Sequence, residues 1–262
     1  NMLGNFVFRG ANISFTVKGK GRSILLIHGF LACKEIWKDY DSRLAKHFRV
    51  VTLDLPGHGE SDCLGYVHNM ELLAECIKKL LQLLVIRKTI VVGHSLGGYV
   101  GIAFAENYPD SVLGLLMVNS SAKGDSDQRK KSRAQLIDLV KKDKNRAIEL
   151  LVPSFFTLTS RKTKWHVKSY LTMAKKCSEQ AIIATVEGMR IRKEREIILK
   201  FAPFKYHYII GLQDAILNLE QLKLEATMSN EGGFTIITDA GHMGLIETKE
   251  QVFKTIKLFS KR

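Results

Sequence analysis

Apolar positions in the first part of the chain follow two rhythms that take turns. Short unbroken apolar runs lie at Ser23 to Ile27, Arg49 to Leu53, Thr89 to Val92 and Val112 to Val118. Such runs, lacking in-out alternation, predict strands buried on both faces, the mark of a parallel sheet. Between them come stretches with helical spacing, at about Ile36 to Lys46, Glu71 to Leu84 and Ser95 to Asn107. In the second, Leu72, Leu73, Cys76, Ile77, Leu80, Leu81 and Leu84 share one face. Phe6 to Phe8 and Ile13 to Val17 predict an opening antiparallel hairpin. Strands alternating with helices imply right-handed crossovers and a sheet covered on both sides.

The rhythm changes after Ser121. From there to about Lys200 no strand-like run occurs, and the pattern predicts several helices. Ser126, Ser160 and Ser178 are the expected N-caps. Apolar faces are expected at Leu136, Ile137, Leu139 and Val140; at Ile148, Leu150 and Leu151; at Trp165, Leu171 and Ala174; and at Ile182, Thr185, Val186 and Met189. Strand and helix alternation resumes at Tyr206 to Ile210 and Phe234 to Thr238, and an amphipathic helix follows at about Lys249 to Leu258. The expected organisation is one α/β domain in two pieces, 1–120 and 201–262, interrupted by a helical cap insertion at 121–200.

Composition narrows the class. A chain of 262 residues with 45% hydrophobic content can bury one sizeable core. No run of eighteen apolar residues occurs, so no membrane span is expected. The first ten residues lack the pattern of a secretory signal. Cys33, Cys63, Cys76 and Cys177 form no Cys-x-x-Cys pair, and reduced thiols in a cytoplasmic protein are the expectation. The net charge of +14 is unevenly spread. Residues 121–200 hold 20 Lys plus Arg against 9 Asp plus Glu, a net of +11. A Lys-rich solvated surface accounts for that excess most simply. A preference for substrates bearing a carboxylate or phosphate is a second consequence of such a field. Nucleic-acid binding has no supporting motif or aromatic interleaving.

The strongest chemical signal is Gly93-His94-Ser95-Leu96-Gly97, placed between a predicted strand and a predicted helix. A serine on that tight turn is pushed out above the sheet edge, which makes it a candidate nucleophile. Side chains two positions to either side would collide with strand and helix, so both are glycine. Gly98 and Gly101 continue the small surface along the helix. The helix N-terminus favours negative charge developing at Ser95. A serine hydroxyl needs a base. His242, in Ala240-Gly241-His242, lies just past the last predicted strand, and Asp214, in Gly211-Leu212-Gln213-Asp214, just past the one before. The order Ser, Asp, His fits an elbow-type hydrolase. Asp239, three residues from His242, is too close in the same turn to serve as the acid. His28-Gly29-Phe30 ends the first buried run. The backbone N–H groups of Phe30 and Leu96 are the expected oxyanion donors. His28 itself has a simpler reading, as a histidine tying loops together.

Taken together, His28-Gly29-Phe30, Asp54-Leu55-Pro56-Gly57-His58-Gly59-Glu60-Ser61, Gly93 to Gly98, Asp214 and Gly241-His242 resemble the α/β-hydrolase family. The likeness covers nearly all of the chain outside the insertion. It implies an eight-stranded, mostly parallel sheet with a helical cap after the sixth strand. It also implies that Asp54 to Ser61 is a structural turn near the site. Dehalogenases and epoxide hydrolases of this fold carry aspartate at the elbow, where this chain has Ser95. Members with the acid after the sixth strand differ too, since Asn119 stands there and cannot orient an imidazole as a carboxylate does.

The expected activity is therefore carboxylesterase-like hydrolysis of a small-molecule ester through Ser95, without a cofactor. The same fold also serves C–C hydrolases, thioesterases and lactonases, and ligand receptors with slow turnover. No nucleotide-binding glycine loop is present, and His47, His68, His166 and His207 show no metal-ligand spacing. Phe155, Phe156 and Trp165 are candidates for an acyl pocket, with packing inside the insertion as the plainer explanation. Nothing in the sequence bears on oligomeric state.

Overall fold

A computed structural model describes residues 1–157 and 161–261. Eight strands form one sheet: β1 (Met2–Phe8), β2 (Ala11–Lys18), β3 (Ser23–Ile27), β4 (Arg49–Leu53), β5 (Thr89–His94), β6 (Val112–Val118), β7 (Lys205–Gly211) and β8 (Phe234–Ile237). Their order is β1-β2-β4-β3-β5-β6-β7-β8. The sheet is mixed. β1 pairs with β2, and β2 with β4, in antiparallel fashion, while every pairing from β4 to β8 is parallel. The unbroken apolar runs have the burial they predict: every residue of β3 and β5 is buried.

The helices, in chain order, are α1 (Lys38–Leu44), α2 (Met70–Leu83), α3 (Leu96–Asn107), α4 (Asp127–Lys142), α5 (Lys144–Leu151), α6 (Arg161–Ala174), α7 (Glu179–Arg190), α8 (Glu196–Lys200), α9 (Leu219–Ala226), α10 (Gly244–Glu247) and α11 (Lys249–Lys261). The start of α2 is fixed by Asn69, whose side-chain oxygen accepts from the Leu72 amide at 2.8 Å. α3 is buried on all sides from Leu96 to Ala105. Its glycines allow that: a Cβ at Gly101 would already sit 3.2 Å from side chains of both Val91 and Leu115.

Between β6 and β7 the described chain is helical. Ser126 and Ser178 cap α4 and α7, while the cap expected at Ser160 lies outside the described residues. α4 packs against α7 and α5, whereas α8 packs against α3 and α9. Two apolar positions differ from expectation. Trp165 is 69% exposed and Leu150 is also exposed. The buried stripe of α6 is Thr163, Tyr170 and Ala174, with Val167 half-buried. Its spacing follows the helical period, and Trp165 falls to the other side of it.

Candidate active site

Parallel strands of an open sheet deliver their following loops to one edge, and ligands bind there. Ser95 follows β5, Phe30 lies just past β3, Asp214 follows β7 and His242 follows β8. Residues 147 positions apart are thereby joined.

Ser95 sits between β5 and α3 with φ 50° and ψ −113°. A positive φ at a residue with a Cβ is a strained state, held by what surrounds it. Two contacts hold this one: the Ser95 amide donates to the Val118 carbonyl at 3.0 Å, and the Ser95 carbonyl accepts from Ser120 Oγ at 2.7 Å. The flanking glycines are sterically required. A Cβ at Gly93 would strike the Gly97 carbonyl, and one at Gly97 the Ile27 carbonyl.

The Ser95 hydroxyl lies 2.8 Å from His242 Nε2, and His242 Nδ1 lies 2.8 Å from Asp214 Oδ2. An ionised carboxylate only accepts hydrogen bonds. The hydrogen therefore resides on Nδ1, and Nε2 presents its lone pair to the serine. All three side chains meet in a mostly buried setting. Asp239 is exposed and is not the partner of His242.

Asp214 is held from several sides. The Ile216 and Leu217 amides donate to Oδ1 at 2.8 and 3.2 Å, and Asn119 Nδ2 donates to Oδ2 at 3.0 Å. Burial alone would raise this carboxyl. The neighbouring His242 and the hydrogen bonds outweigh it and hold Asp214 below the ordinary aspartate value. Asn119 also donates to the Gly241 carbonyl at 3.1 Å, next to His242. The His242 loop has two further ties. His94 Nε2 contacts the His242 carbonyl at 2.9 Å, and the Gly241 amide donates to Glu247 Oε2 at 2.8 Å. Burial, and then the nearby His242, push His94 down to about 3, so its ring stays neutral and its Nε2–H donates.

The amides of Phe30 and Leu96 have no hydrogen-bond partner among the described residues. Both residues are buried, and buried N–H groups are ordinarily paired. The Phe30 carbonyl accepts from Tyr170 on α6 at 2.7 Å, which fixes the peptide of that loop. His28 ties the same loop to the next one: its Nδ1–H donates to the Gly29 carbonyl at 2.8 Å, and Nε2 accepts from the Leu55 amide at 3.0 Å. In the turn after β4, Asp54 is fully buried and accepts from the Lys34 amide, Lys34 Nζ and the Glu60 amide.

A cavity of about 150 Å³ opens over Ser95 and His242. Its lower wall includes Phe30, Tyr99 and Met243, and its roof comes from the helices between β6 and β7, through Leu136, Leu151, Phe155 and Met189. The Phe155 ring stands 5.9 Å from the His242 ring. Phe156 instead packs edge-on against Tyr170, and Trp165 is exposed, so of the three aromatic candidates Phe155 alone lines this cavity. Arg129 and Arg133 also line it. The sequence does not single them out among the 20 basic residues of that segment, because nothing local marks which arginine packing turns inward. Among the described residues no group of three His, Cys, Asp or Glu side chains is placed to hold a metal ion. No helix among them is long and apolar enough to cross a membrane.

Residues 22–248 match the α/β hydrolase fold family, and the chain belongs to it. Its relatives are of several kinds. An uncharacterized protein of Mycobacterium tuberculosis is 37% identical over 111 residues, 42% of this chain and 33% of that one. The chain thus spans about a third of the length of that relative. A pimeloyl-[acyl-carrier protein] methyl ester esterase of Photorhabdus laumondii is 26% identical over 92% of this chain and 93% of its own. Among solved structures, a thermophilic esterase from Thermogutta terrifontis, determined with malate bound, is 27% identical. It superposes with a TM-score of 0.92 over 99% of this chain and 98% of that one.

Proposed function

We propose that this chain is a serine hydrolase that cleaves small carboxylic esters by acyl transfer through Ser95 to water. The observation that carries the reading is the unbroken chain of hydrogen bonds from Asp214 through His242 to Ser95, each at 2.8 Å. In this reading His242 Nε2 takes the Ser95 proton as Oγ attacks the ester carbonyl, and Asp214 stabilises the imidazolium that forms. The idle amides of Phe30 and Leu96 receive the oxyanion, each donor being worth about 3 kcal/mol in the transition state. His242 then passes the proton to the leaving alcohol. Water repeats the sequence on the acyl-enzyme and returns free Ser95. No step requires a cofactor.

Residues 121–200 act as a cap over the two core segments, 1–120 and 201–262. The cavity is smaller than the roughly 300–1,000 Å³ that holds a drug-sized ligand, which favours a short acyl group. Two relatives over most of their length are esterases by name, in keeping with this reading. A cytoplasmic setting agrees with four unpaired thiols.

The test is labelling with a fluorophosphonate, followed by rates on p-nitrophenyl esters of rising chain length, on thioesters, on lactones and on vinylogous diketones. Ser95→Ala is expected to abolish labelling and to lower kcat about a millionfold on the best ester, as loss of a triad nucleophile does. Retention of most activity by that variant would reject the assignment.

A further inference from the structure

A charge imbalance lies beside the cavity, whose lining includes Arg129 and Arg133. Three guanidinium groups, from Arg129, Arg133 and Arg192, converge on one carboxylate, Asp125, whose side chain is fully buried. Arg133 Nε donates to Oδ2 and Arg192 Nη1 to Oδ1, while Arg129 Nε lies 3.3 Å from Oδ1. Among the described residues no second carboxylate pairs with the three. Two positive charges are left over in a mostly desolvated place.

Two of the arginines spend Nη donors on backbone carbonyls, although Arg192 Nε is buried without a partner among the described residues. Arg192 Nη1 donates to the Met189 carbonyl at 3.1 Å and Nη2 to the Lys123 carbonyl at 3.0 Å, and its guanidinium lies 4.0 Å over the Tyr99 ring. Arg129 Nη1 donates to the Ile216 carbonyl at 2.7 Å. Arg133 differs. Beyond its Nε contact, Nη1 and Nη2 donate to none of the described residues, although its side chain is only 12% exposed. It lines the same cavity as Ser95 and His242. Its Nη groups are not sealed from solvent, so they can meet a ligand that enters the cavity, and an anion is the partner that suits a guanidinium. Burial pulls Arg133 below the ordinary arginine value, with Tyr99 and Asp125 acting the other way. Tyr99 lines the same cavity, and its hydroxyl donates to none of the described residues.

We propose that Arg133 forms an anion subsite in this cavity and that the substrate is a short ester bearing a free carboxylate. This rests on the hydrolase reading above. The two Nη groups match the two oxygens of a carboxylate as a fork, which an ammonium cannot do. Leu136, Leu151 and Ile216 line the same cavity and suit a short apolar chain joining acid and ester ends. Most of the basic surface plays no part in this, because exposed lysines are screened by salt and Arg133 is not.

The test compares monomethyl glutarate with its neutral monoamide in the full chain. Wild type is expected to favour the acid by at least about tenfold in kcat/KM, the worth of a hydrogen bond to a charged group. Arg133→Gln is expected to bring the ratio to about one. Asp125 keeps Arg129 and Arg192 in that variant. Should it still fail to fold, Arg133→Lys keeps the charge and gives up the fork, and the ratio is expected to fall several-fold. Binding of monomethyl glutarate to Ser95→Ala, followed by calorimetry, separates the two readings. A protein that binds the acid through Arg133 but hydrolyses neither ester contradicts the hydrolase reading alone. An acid-to-amide ratio near one in wild type, or a ratio and affinity unchanged by the Arg133 variants, overturns the anion subsite.

Discussion

At the scale of single residues, the site is notable for how much of it holds other groups in place. Asn119 illustrates the point. Its amide reaches both Asp214 and the Gly241 carbonyl, so it spans the loops after β7 and β8. Asn119→Ala removes one hydrogen bond to a charged group and one to a neutral group. A fall of about tenfold in kcat is expected, with KM little changed, since the lost contacts act on the imidazole and not on substrate. Equal kcat in the variant would show that Asp214 is held well enough by the Ile216 and Leu217 amides. Asp214→Asn is expected to cost far more, about ten-thousandfold, because an amide at that place stabilises the wrong imidazole tautomer. That Ser95, His242 and Asp214 meet could be read from the sequence, since each stands in the loop after a recognisable strand. Asn119 was legible only as an amide that could not act as the acid. Its holding role depends on the left-handed backbone it adopts, at φ 45°, after β6.

At the scale of elements, the strands were easy to read and the helices between β6 and β7 were not. A strand buried on both faces is apolar at nearly every position: β3 and β5 are buried throughout with Ser23, Thr89 and His94 as polar exceptions, and β6 exposes Leu113. A helix buried on one stripe leaves its face ambiguous when polar residues share the stripe. On α6 the buried stripe includes Thr163 and Tyr170, which hydropathy does not mark, and of the expected face Leu171 and Ala174 pack inward while Trp165 is exposed. α9 went unread for a related reason. Its buried face carries Glu225, which receives hydrogen bonds from Ser121, Tyr208 and the Ala122 amide. Element packing also gives two predictions. α6 reaches the loop after β3 through the Tyr170 hydroxyl, which donates to the Phe30 carbonyl, and through Met173, whose Sδ accepts from Cys33 Sγ. Tyr170→Phe is expected to keep the fold and lower kcat about three- to tenfold, measured on a neutral short-chain ester; no change would mean that the Phe30 peptide is held by its own loop. α7 lies so close to the 61–69 loop that a Cβ at Gly188 would overlap the His68 carbonyl. Gly188→Ala is therefore expected to destabilise the protein by about 1–3 kcal/mol, despite alanine's better helix propensity. A higher denaturation midpoint in that variant would show the loop yielding freely.

At the scale of the whole molecule, the buried imidazoles set the response to acid. His28, His58, His68 and His94 are all buried, and burial lowers each of them. His58 and His94 fall to about 3, and His68 to about 4. Each is therefore neutral in the folded chain at pH values where it binds a proton once unfolded, below about 6.5. The unfolded state then holds more protons, so stability falls as pH falls, by about 1.4 kcal/mol per pH unit for each such group. The loss starts near pH 6.5 and continues down to the folded values. Asp214 works in the same direction but in a lower window: its depressed carboxyl stabilises the fold above about pH 4 and stops doing so as pH falls through its folded value. Glu196, raised to about 7 by its hydrogen bond with Glu194 and by burial, opposes this over part of the same window, so above pH 5 the histidines set the direction of the acid response and not its whole slope. Three groups acting together remove about 4 kcal/mol per pH unit, a large share of the roughly 5–15 kcal/mol by which domains are stable. Urea denaturation at pH 7.5, 6.5 and 5.5 is expected to show a steep drop only across the last interval. In His68→Gln, where an amide oxygen can still accept from the Leu64 amide, that drop is expected to shrink by about 1.4 kcal/mol per pH unit. A flat profile from pH 7.5 to 5.5 would mean that these rings find protons, or water, inside the folded chain.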